Sequence, residues 1–500
     1  MAIPSLAMIP SGYKDGKVYS VLPTNGDGDF TFSRGSSATR VNKDGLIETM
    51  PLELGSEEVT NGSFDTDSDW SKGAGWTISG GTANADTSGT SELTQSITLI
   101  VGKVYKIELS ISNLVSGLIQ VQFDGTVIGQ AKEEGVTTFY VSSTSSSTTL
   151  YIYAIGATKL SVDNVSIKEV LSGYDLPRLD YSDSSCPSLL LEPQSSNLIT
   201  YSEDFSQSSW VKISGTVSLS NSLSPDGSLN AYRFYSSNSA ANTRVYQNHT
   251  FSAATYTFSV YAKKNGTNNK FKFGISDSSG LTLTPDFNLT DDWERFEYTY
   301  TSSGGSGSWW VVNPSDTELG SEFDVLIYGA QLEEQSYPTS YIPTNGAIST
   351  RLQDECNGAG TSDTFNDSEG VLYAYLANSE TSTASYLAIS DGTNSQRLTL
   401  GNEGGYFRAY LNSVNIDDSV KSANKDFNKI AIKYTSSNTS IYINGLLIKS
   451  VNQSFSLSGI NQITFSTGDN SYGKLRGSVK DIRYYNTALT DVELIALTTI

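Results

Sequence analysis

Apolar and polar residues alternate with a period of two along most of the chain. The pattern is clear from Tyr105 to Ile111, from Tyr256 to Val260, from Phe271 to Ile275 and from Phe296 to Tyr300. Short runs of this kind, separated by Gly, Asn, Asp and Ser, are typical of antiparallel strands with one face in water. Because so many runs follow one another, the sequence predicts an all-β chain of tandem antiparallel β-sandwich (jelly-roll) domains.

Two stretches of the chain open and close with similar phrases, which indicates internal repetition. Asn61–Phe64 opens the first and Asp204–Phe205 the second, while Leu160–Glu169 and Phe323–Glu333 close them. The first and last strands of each repeat are therefore predicted to be adjacent. The predicted division is an extended N-terminal anchoring segment at 1–52, a sandwich at 53–170, a connector at 171–200, a second sandwich at 201–342, a connector at 343–360 and a third sandwich at 361–500.

Three local signals add detail to this division. Asn444-Gly445 between two apolar runs predicts a hairpin turn. Thr490 and Glu493 have the spacing of a capping box, which predicts a short closing helix near the C-terminus. Leu189–Leu191 in the first connector are too apolar for a flexible linker, so we expect them to pack against a neighbouring domain or subunit.

Charge and the N-terminus exclude several functional classes. The 500 residues are only 17% charged and carry a formal net charge of −21, a surface that repels nucleic acid. The sequence contains no run of about 18 apolar residues, so it predicts no membrane-spanning helix. Met1–Pro10 lacks the basic start and apolar stretch of a signal peptide. We therefore expect a chain made in a host cytoplasm that acts outside it, as virion proteins do.

The cysteine and histidine content limits the chemistry further. Cys186 and Cys356 are the two cysteines, and one disulfide, an inter-subunit contact and two free thiols are all consistent with the sequence. His249 is the single histidine, and no metal or nucleophile motif surrounds it. We therefore do not expect catalysis by His249.

The C-terminal third resembles the laminin-G/concanavalin-A-like jelly rolls. Phe427–Tyr434, the Tyr442–Leu446 hairpin and the closing phrase Gly477–Thr490 carry the resemblance, which covers roughly residues 360–500. In that family the closing phrase is the last strand and turn. The resemblance therefore implies a fold and places Ile482 and Tyr484 in its core, and it implies no ligand.

The two preceding sandwiches look like carbohydrate-binding modules, on the strength of the Asn61–Phe64 opening and the Val162–Ile167 ending of the first. Phe32–Asn42, Ser188–Phe205 and Tyr328–Thr344 resemble phrases frequent in bacteriophage tail, head-fibre and adhesin proteins. The resemblance implies a virion protein, either a tail or head fibre or a receptor-binding adhesin. Its implied partners are host-surface polysaccharide and other virion proteins, the latter through the N-terminal segment, and it implies a homo-oligomer such as a trimer.

Two alternatives stay open beside the glycan-binding adhesin. The chain could be a purely structural decoration, head-fibre or baseplate component, or a polysaccharide depolymerase. The enzyme is the least favoured, because 53 acidic residues make any carboxylate pair easy to propose and no catalytic motif supports one. We predict no enzymatic activity.

Sugars stack on aromatic faces while amide, carboxylate and guanidinium groups bind their hydroxyls. Trp309 and Trp310 are consecutive in a predicted strand, so they should face opposite ways with at most one buried. A calcium ion at an oxygen-rich rim loop is a further prediction, and no other cofactor is expected. The predicted glycan contacts are Trp70, Trp76, Trp309, Trp310, Tyr406, Arg408 and Tyr410, and the predicted calcium ligands are Asp469 and Asn470.

Overall fold

The computed structural model describes residues 2–50, 53–123, 126–131, 134–143, 145–172, 174–380, 383–412, 414–417, 426–452 and 457–500. The predicted boundary at residue 52 lies outside these ranges. The chain divides into two compact units, Met1–Met50 with Tyr174–Ile500 and Pro51–Gly173. Nearly all regular structure is antiparallel β, which confirms the predicted fold class.

The N-terminal strands are β1 (Leu6–Met8), β2 (Tyr13–Lys14), β3 (Lys17–Val18), β4 (Phe30–Ser33), β5 (Thr39–Val41) and β6 (Ile47–Thr49). The first module contains β7 (Glu53–Glu57), β8 (Ser71–Lys72), β9 (Trp76–Ser79), β10 (Thr82–Asp86), β11 (Ser91–Thr98), β12 (Val104–Ser116), β13 (Ile119–Phe123), β14 (Thr126–Ala131), β15 (Gly135–Ser142), β16 (Ser147–Ala154) and β17 (Lys159–Ser172). The strands that follow are β18 (Arg178–Asp180), β19 (Ser188–Leu191) and β20 (Ser195–Asn197).

The second module contains β21 (Val211–Ile213), β22 (Thr216–Leu219), β23 (Tyr232–Ser236), β24 (Arg244–Phe251), β25 (Thr255–Lys264), β26 (Lys270–Asp277), β27 (Gly280–Leu283), β28 (Phe287–Asn288), β29 (Glu294–Thr301), β30 (Gly305–Pro314), a 3₁₀ turn (Asp316–Glu318) and β31 (Phe323–Glu333). The remaining elements are β32 (Ser349–Arg351), β33 (Glu355–Ala359), β34 (Gly370–Asn378), β35 (Ser385–Ser390), β36 (Arg397–Glu403), β37 (Tyr406–Leu411), β38 (Val414–Asp417), β39 (Asn428–Tyr434), β40 (Asn438–Ile443), β41 (Leu446–Asn452), β42 (Gln462–Thr464), β43 (Gly477–Tyr485) and the helix α1 (Asp491–Thr498).

The first module is a sandwich of two antiparallel sheets. One sheet has the order β15-β12-β17-β10-β9 with β7 beside β17, and the other has the order β14-β13-β16-β11-β8. The pairing of β7 with β17 confirms that the first and last strands of this repeat are adjacent. Ile107, Val121 and Ile152 are among the residues that fill the core between the sheets.

The second module is also a two-sheet sandwich. Its sheets have the orders β21-β24-β30-β26-β27, with β28 beside β26, and β22-β23-β31-β25-β29. Aromatic rings fill the core because strand alternation turns Phe258, Phe273 and Trp309 inward, and the rings of Phe258 and Phe273 meet edge to face at 4.9 Å. The opposite face of the first sheet is therefore free to carry polar residues.

The C-terminal sandwich draws strands from far apart in the sequence. Its sheets have the order β18-β19-β43-β34-β39-β40-β41, with β1 beside β43, and the order β2-β3-β4-β33-β42-β35-β36-β37-β38. The sequence predicts a separate N-terminal segment and connectors, yet Leu6 pairs with Tyr484 and Phe32 with Cys356. These strands join the C-terminal sandwich because their side chains are apolar. Leu6 and Phe32 are buried in the same core as Phe365 and Tyr484. Leu189 pairs with Val479, which confirms that the apolar connector packs on a neighbour.

A buried ion network joins these distant segments. Arg178 Nη1 donates to Glu192 Oε2 at 2.6 Å, and Arg178 also pairs with Asp354. Arg351 pairs with Glu192, and Arg34 Nη1 lies 3.2 Å from Asp354 Oδ1. Burial opposes ionisation of Glu192, but the guanidinium groups of Arg351 and Arg178 keep its pKa well below the ordinary value. Arg34 and Glu192 belong to the segments Phe32–Asn42 and Ser188–Phe205, so these two segments have a structural role.

Two local predictions near the C-terminus are confirmed. Asn444 and Gly445 both have positive φ, 50° and 82°, and form the turn between β40 and β41. Thr490 and Glu493 form a reciprocal capping box at the start of α1. No helix in the described part of the chain is long and apolar enough to cross a membrane.

Candidate functional site

A broad groove lies on the outer face of the β21-β24-β30-β26-β27 sheet of the second module. We call it the sheet groove, and its volume is about 840 Å³. Much of its lining comes from two neighbouring strands, with Arg244 and Tyr246 to Thr250 on β24 and Ser306 to Ser308 and Trp310 on β30. Open, polar and partly aromatic, it has the features that a carbohydrate site requires.

The two tryptophans of β30 face opposite sides of the sheet. Trp309 points inward and stacks on Phe258, with ring centroids 5.1 Å apart. Trp310 pairs with Tyr246 and Gly274 on the groove side. Opposite facing is confirmed, but the expectation that at most one is buried is wrong, because Trp309 is 1% exposed and Trp310 only 8%.

Neighbours on both sides account for the low exposure of Trp310. Its ring packs against Gly274, where a Cβ would overlap it. The Arg244 guanidinium carbon lies 4.2 Å from the Trp310 ring centroid and 5.4 Å from that of Tyr246. Trp310 Nε1 donates to Ser308 Oγ at 3.0 Å, which fixes the ring. Trp310 is therefore a rigid floor that presents Arg244 and Tyr246 to the groove.

A row of polar residues extends from this floor along β24. Tyr246, Asn248 and Thr250 recur at every second position on the groove face, and Thr250 pairs with Ser306 across the strands. Asn248 and Thr250 are exposed to solvent. The row therefore offers an aromatic ring, an amide and hydroxyl groups to a ligand lying along the strand.

His249 lines the groove without the features of a catalytic residue. Its ring packs edge to face on Phe251 at 4.8 Å and near Tyr256 at 6.2 Å. Burial lowers the pKa of His249, while Glu334 opposes the shift. Burial therefore favours the neutral imidazole, which serves as part of the wall.

The predicted contacts of the first module lie in its core. Trp70 and Trp76 are 7% and 5% exposed and pack among the core residues of that module. Trp70 Nε1 donates to the carbonyl oxygen of Asn61 at 3.0 Å. Little ring surface is left for a sugar, and ligand contact by either residue stays an untested prediction.

The predicted contacts of the third domain lie together on β37. Tyr406, Arg408 and Tyr410 are half-buried on one face, opposite Phe407 and Ala409, as alternation predicts. The Arg408 guanidinium carbon lies 5.6 Å from the Tyr406 ring centroid. Whether these side chains bind a glycan stays a prediction.

The predicted calcium ligands lie in a turn that uses one carboxylate oxygen internally. Asp469 Oδ1 accepts hydrogen bonds from Ser471 Oγ at 2.6 Å, from the Ser471 amide at 3.1 Å and from Thr467 Oγ1 at 3.0 Å. The bond from Ser471 lowers the pKa of Asp469 to about 2. Asn470 follows with φ of 58°. Among the described residues no group of three His, Cys, Asp or Glu side chains is placed to hold a metal, and calcium binding stays untested.

The two cysteines are both free thiols. Cys186 is exposed, whereas Cys356 is buried in the core of the C-terminal sandwich. Burial raises the pKa of Cys356 well above its ordinary value. The structure therefore shows no disulfide between Cys186 and Cys356, and an inter-subunit contact stays an untested prediction.

Sequence reasoning missed Arg244, Tyr246 and Asn248 as candidate contacts. A signal was present, because Tyr246, Asn248 and Thr250 alternate with Val245, Gln247 and His249 in one strand. The pairing of β24 with β30 was not readable from alternation, and that pairing brings Tyr246 beside Trp310.

No protein-family model matches the sequence, and the search of curated proteins gave no match. Among solved structures, the CBM40 of Ruminococcus gnavus IT-sialidase bound to alpha2,3 sialyllactose is 18% identical, with a TM-score of 0.24 over 28% of this chain and 87% of that chain.

Two further structures are similar at the same level. The CBM22-1-CBM22-2 tandem domain of Paenibacillus barcinonensis Xyn10C is 12% identical, with a TM-score of 0.25 over 57% of this chain and 98% of that chain. Domains LG4-5 of the mouse laminin alpha1 chain are 11% identical, with a TM-score of 0.20 over 48% of this chain and 86% of that chain. Likenesses at these scores carry no argument about function, which rests on the residues of the groove.

Proposed function

We propose that this chain is a non-catalytic carbohydrate-binding protein and that the sheet groove of its second module holds the sugar. The open row of Tyr246, Asn248 and Thr250 beside the Trp310 floor carries the proposal. Stacking on Tyr246 and hydrogen bonds from Asn248 and Arg244 are the contacts that a pyranose ring requires.

The groove offers hydrogen-bond donors, so it favours a polar ligand that accepts hydrogen bonds. Arg244 Nη1 donates to the carbonyl oxygen of Asn242 at 3.0 Å, and Nε is buried without a partner in the described part of the chain. A guanidinium held over two aromatic rings is oriented before any ligand arrives, which reduces the entropy lost on binding. Individual contacts of this kind are weak, so useful affinity requires many copies.

The proposal extends to the biological setting, which is a phage particle that displays the chain as an adhesin or fibre. Its support is the resemblance of Phe32–Asn42, Ser188–Phe205 and Tyr328–Thr344 to phrases of phage tail and fibre proteins. Contact with other virion proteins through residues 1–52 would use strands that belong to the C-terminal sandwich. Mass spectrometry of purified virions tests this setting, and a virion without peptides of this chain contradicts it.

The binding claim is tested on an array of bacterial surface polysaccharides with the full-length protein, whose folding is first checked by circular dichroism. We expect retention on at least one glycan, and a loss of about fivefold in affinity for Asn248→Ala, equivalent to one hydrogen bond of about 1 kcal/mol. Asn288→Ala is the matched control, because Asn288 is exposed in the same module outside the groove. Equal effects of the two variants, or no retention of the folded protein, contradict the proposal.

A further inference from the structure

A second cleft lies in the C-terminal sandwich, far along the chain from the sheet groove. Its volume is about 560 Å³, and its lining includes Glu403, Tyr472, Gly473, Lys474 and Arg476. Tyr472 is 55% exposed, the largest exposed fraction of any tyrosine among the described residues. An aromatic ring open to solvent beside a carboxylate and a guanidinium repeats the chemistry of a sugar site.

Three tyrosines orient the carboxylate of this cleft. Tyr472 donates to Glu403 Oε1 at 3.0 Å, and Tyr386 donates to Glu403 Oε2 at 2.7 Å. Tyr410 donates to the same Oε2 at 3.5 Å. The carboxylate is therefore fixed in place, and Oε1 still has acceptor capacity toward the cleft, because it has two lone pairs and accepts one of these bonds.

Close packing fixes the floor of the cleft. The Tyr386 ring lies against Gly473, where a Cβ would overlap it, and Gly473 has φ of 63°. Tyr386 and Tyr472 are tilted by 51° with ring centroids 6.3 Å apart. Gly473 permits this turn and leaves room for the Tyr386 ring, and the turn holds Tyr472 at the edge of the cleft.

The charges of the cleft are nearly balanced. Lys474 pairs with Glu355, while Arg476 Nε is buried without a hydrogen-bond partner among the described residues. One uncommitted cation beside the Glu403 carboxylate suits a ligand with hydroxyl donors and acceptors. The net charge of −21 on the chain disfavours a polyanion.

We infer that this cleft is a second carbohydrate site, for neutral pyranose units, with Tyr472 as the stacking platform and Glu403 and Arg476 as the polar contacts. The inference rests on the proposed function of the chain as a glycan binder. Two sites on one chain raise the retention of a long polysaccharide well above that of either site alone, provided that the glycan reaches both.

The test is affinity electrophoresis of the full-length protein through gels that contain dextran, mannan or galactomannan, with hyaluronan as the anionic probe. We compare wild type, Tyr246→Ala/Asn248→Ala, Tyr472→Ala and the combined triple variant. Tyr19→Ala is the matched control, because Tyr19 is also an exposed tyrosine and lies outside the cleft. Glu403→Gln is a second probe of the cleft that keeps the size of the side chain.

We expect Tyr472→Ala to weaken retardation about three- to tenfold, the magnitude of one lost aromatic contact, while Tyr19→Ala leaves it unchanged. The groove double variant should keep a residual retardation that the triple variant loses. Three results would overturn the second site. The groove double variant shows no residual retardation, or Tyr472→Ala and Glu403→Gln have no effect, or only the hyaluronan gel retards the protein. If the groove double variant is retarded as strongly as wild type and the added Tyr472→Ala abolishes this retardation, the result overturns the sheet groove as a site and supports the cleft. A folded wild type that no gel retards overturns both.

Discussion

Replacing Arg178 by methionine tests whether the buried ion network stabilises the larger compact unit. Arg178 is fully buried, pairs with Glu192 and Asp354, and also donates to Ser340 Oγ at 2.7 Å and to the Thr39 carbonyl at 3.2 Å. Methionine fills part of the volume but leaves these acceptors without their shared donor.

The magnitude follows from what remains after the substitution. Removing one partner of a buried ion pair costs about 3–5 kcal/mol. Glu192 keeps Arg351 and Asp354 keeps Arg34, so the lower end, about 3 kcal/mol, applies. With an unfolding entropy of about 2.1 cal/mol/K per residue, a unit of roughly 380 residues then loses about 4 °C in Tm.

Differential scanning calorimetry of the full-length protein measures this shift. Lys264→Met is the control, because its partner Asp291 is 85% exposed and a surface pair contributes about 0.5 kcal/mol or less. We expect the control to stay within about 1 °C of wild type. A shift for Arg178→Met as small as that of the control refutes a stabilising network.

Three further predictions concern single residues of the same unit. Gly274→Ala places a Cβ against the Trp310 ring, so it should lower the free energy of unfolding by about 1–3 kcal/mol and alter the near-ultraviolet circular dichroism. An unchanged spectrum argues against the close packing of Trp310 on Gly274. Thiol titration should find one reactive cysteine, Cys186, in the native protein and a second, Cys356, only after unfolding; two fast native thiols contradict the burial. Burial puts the pKa of His249 below its unfolded value near 6.5, so the unfolded chain binds the proton first and Tm should fall as pH drops from 7 through that range. His249→Phe should flatten this dependence, and an identical pH profile of variant and wild type refutes it.

Local sequence patterns predicted strands and turns well, because they depend on neighbouring residues. The alternation of Tyr406 to Leu411, the Asn444-Gly445 turn and the Thr490 cap all appear in the structure. The pairing of Leu6 with Tyr484 was not predictable, since it depends on a contact nearly the whole chain apart. A linear division into domains therefore missed strands that enter the C-terminal sandwich from the N-terminus and the connector.

The candidate site shows the same limit. Trp310 was singled out from sequence, but its cover by Arg244 depends on strand pairing and could not be foreseen. Trp70 and Trp76 were predicted from sequence as glycan contacts, yet both rings pack in the core of the first module. Sequence alone identifies aromatic residues in strands, and only the sheet order tells which face each ring covers.

The central claim is that glycan binds in the sheet groove of the second module. The most direct test is a crystal structure of the full-length protein with a glycan that it retains on the array. We expect a pyranose ring in van der Waals contact with Tyr246 and hydrogen-bonded to Asn248. A sugar bound elsewhere on the chain, with the groove empty in the same crystal, contradicts it.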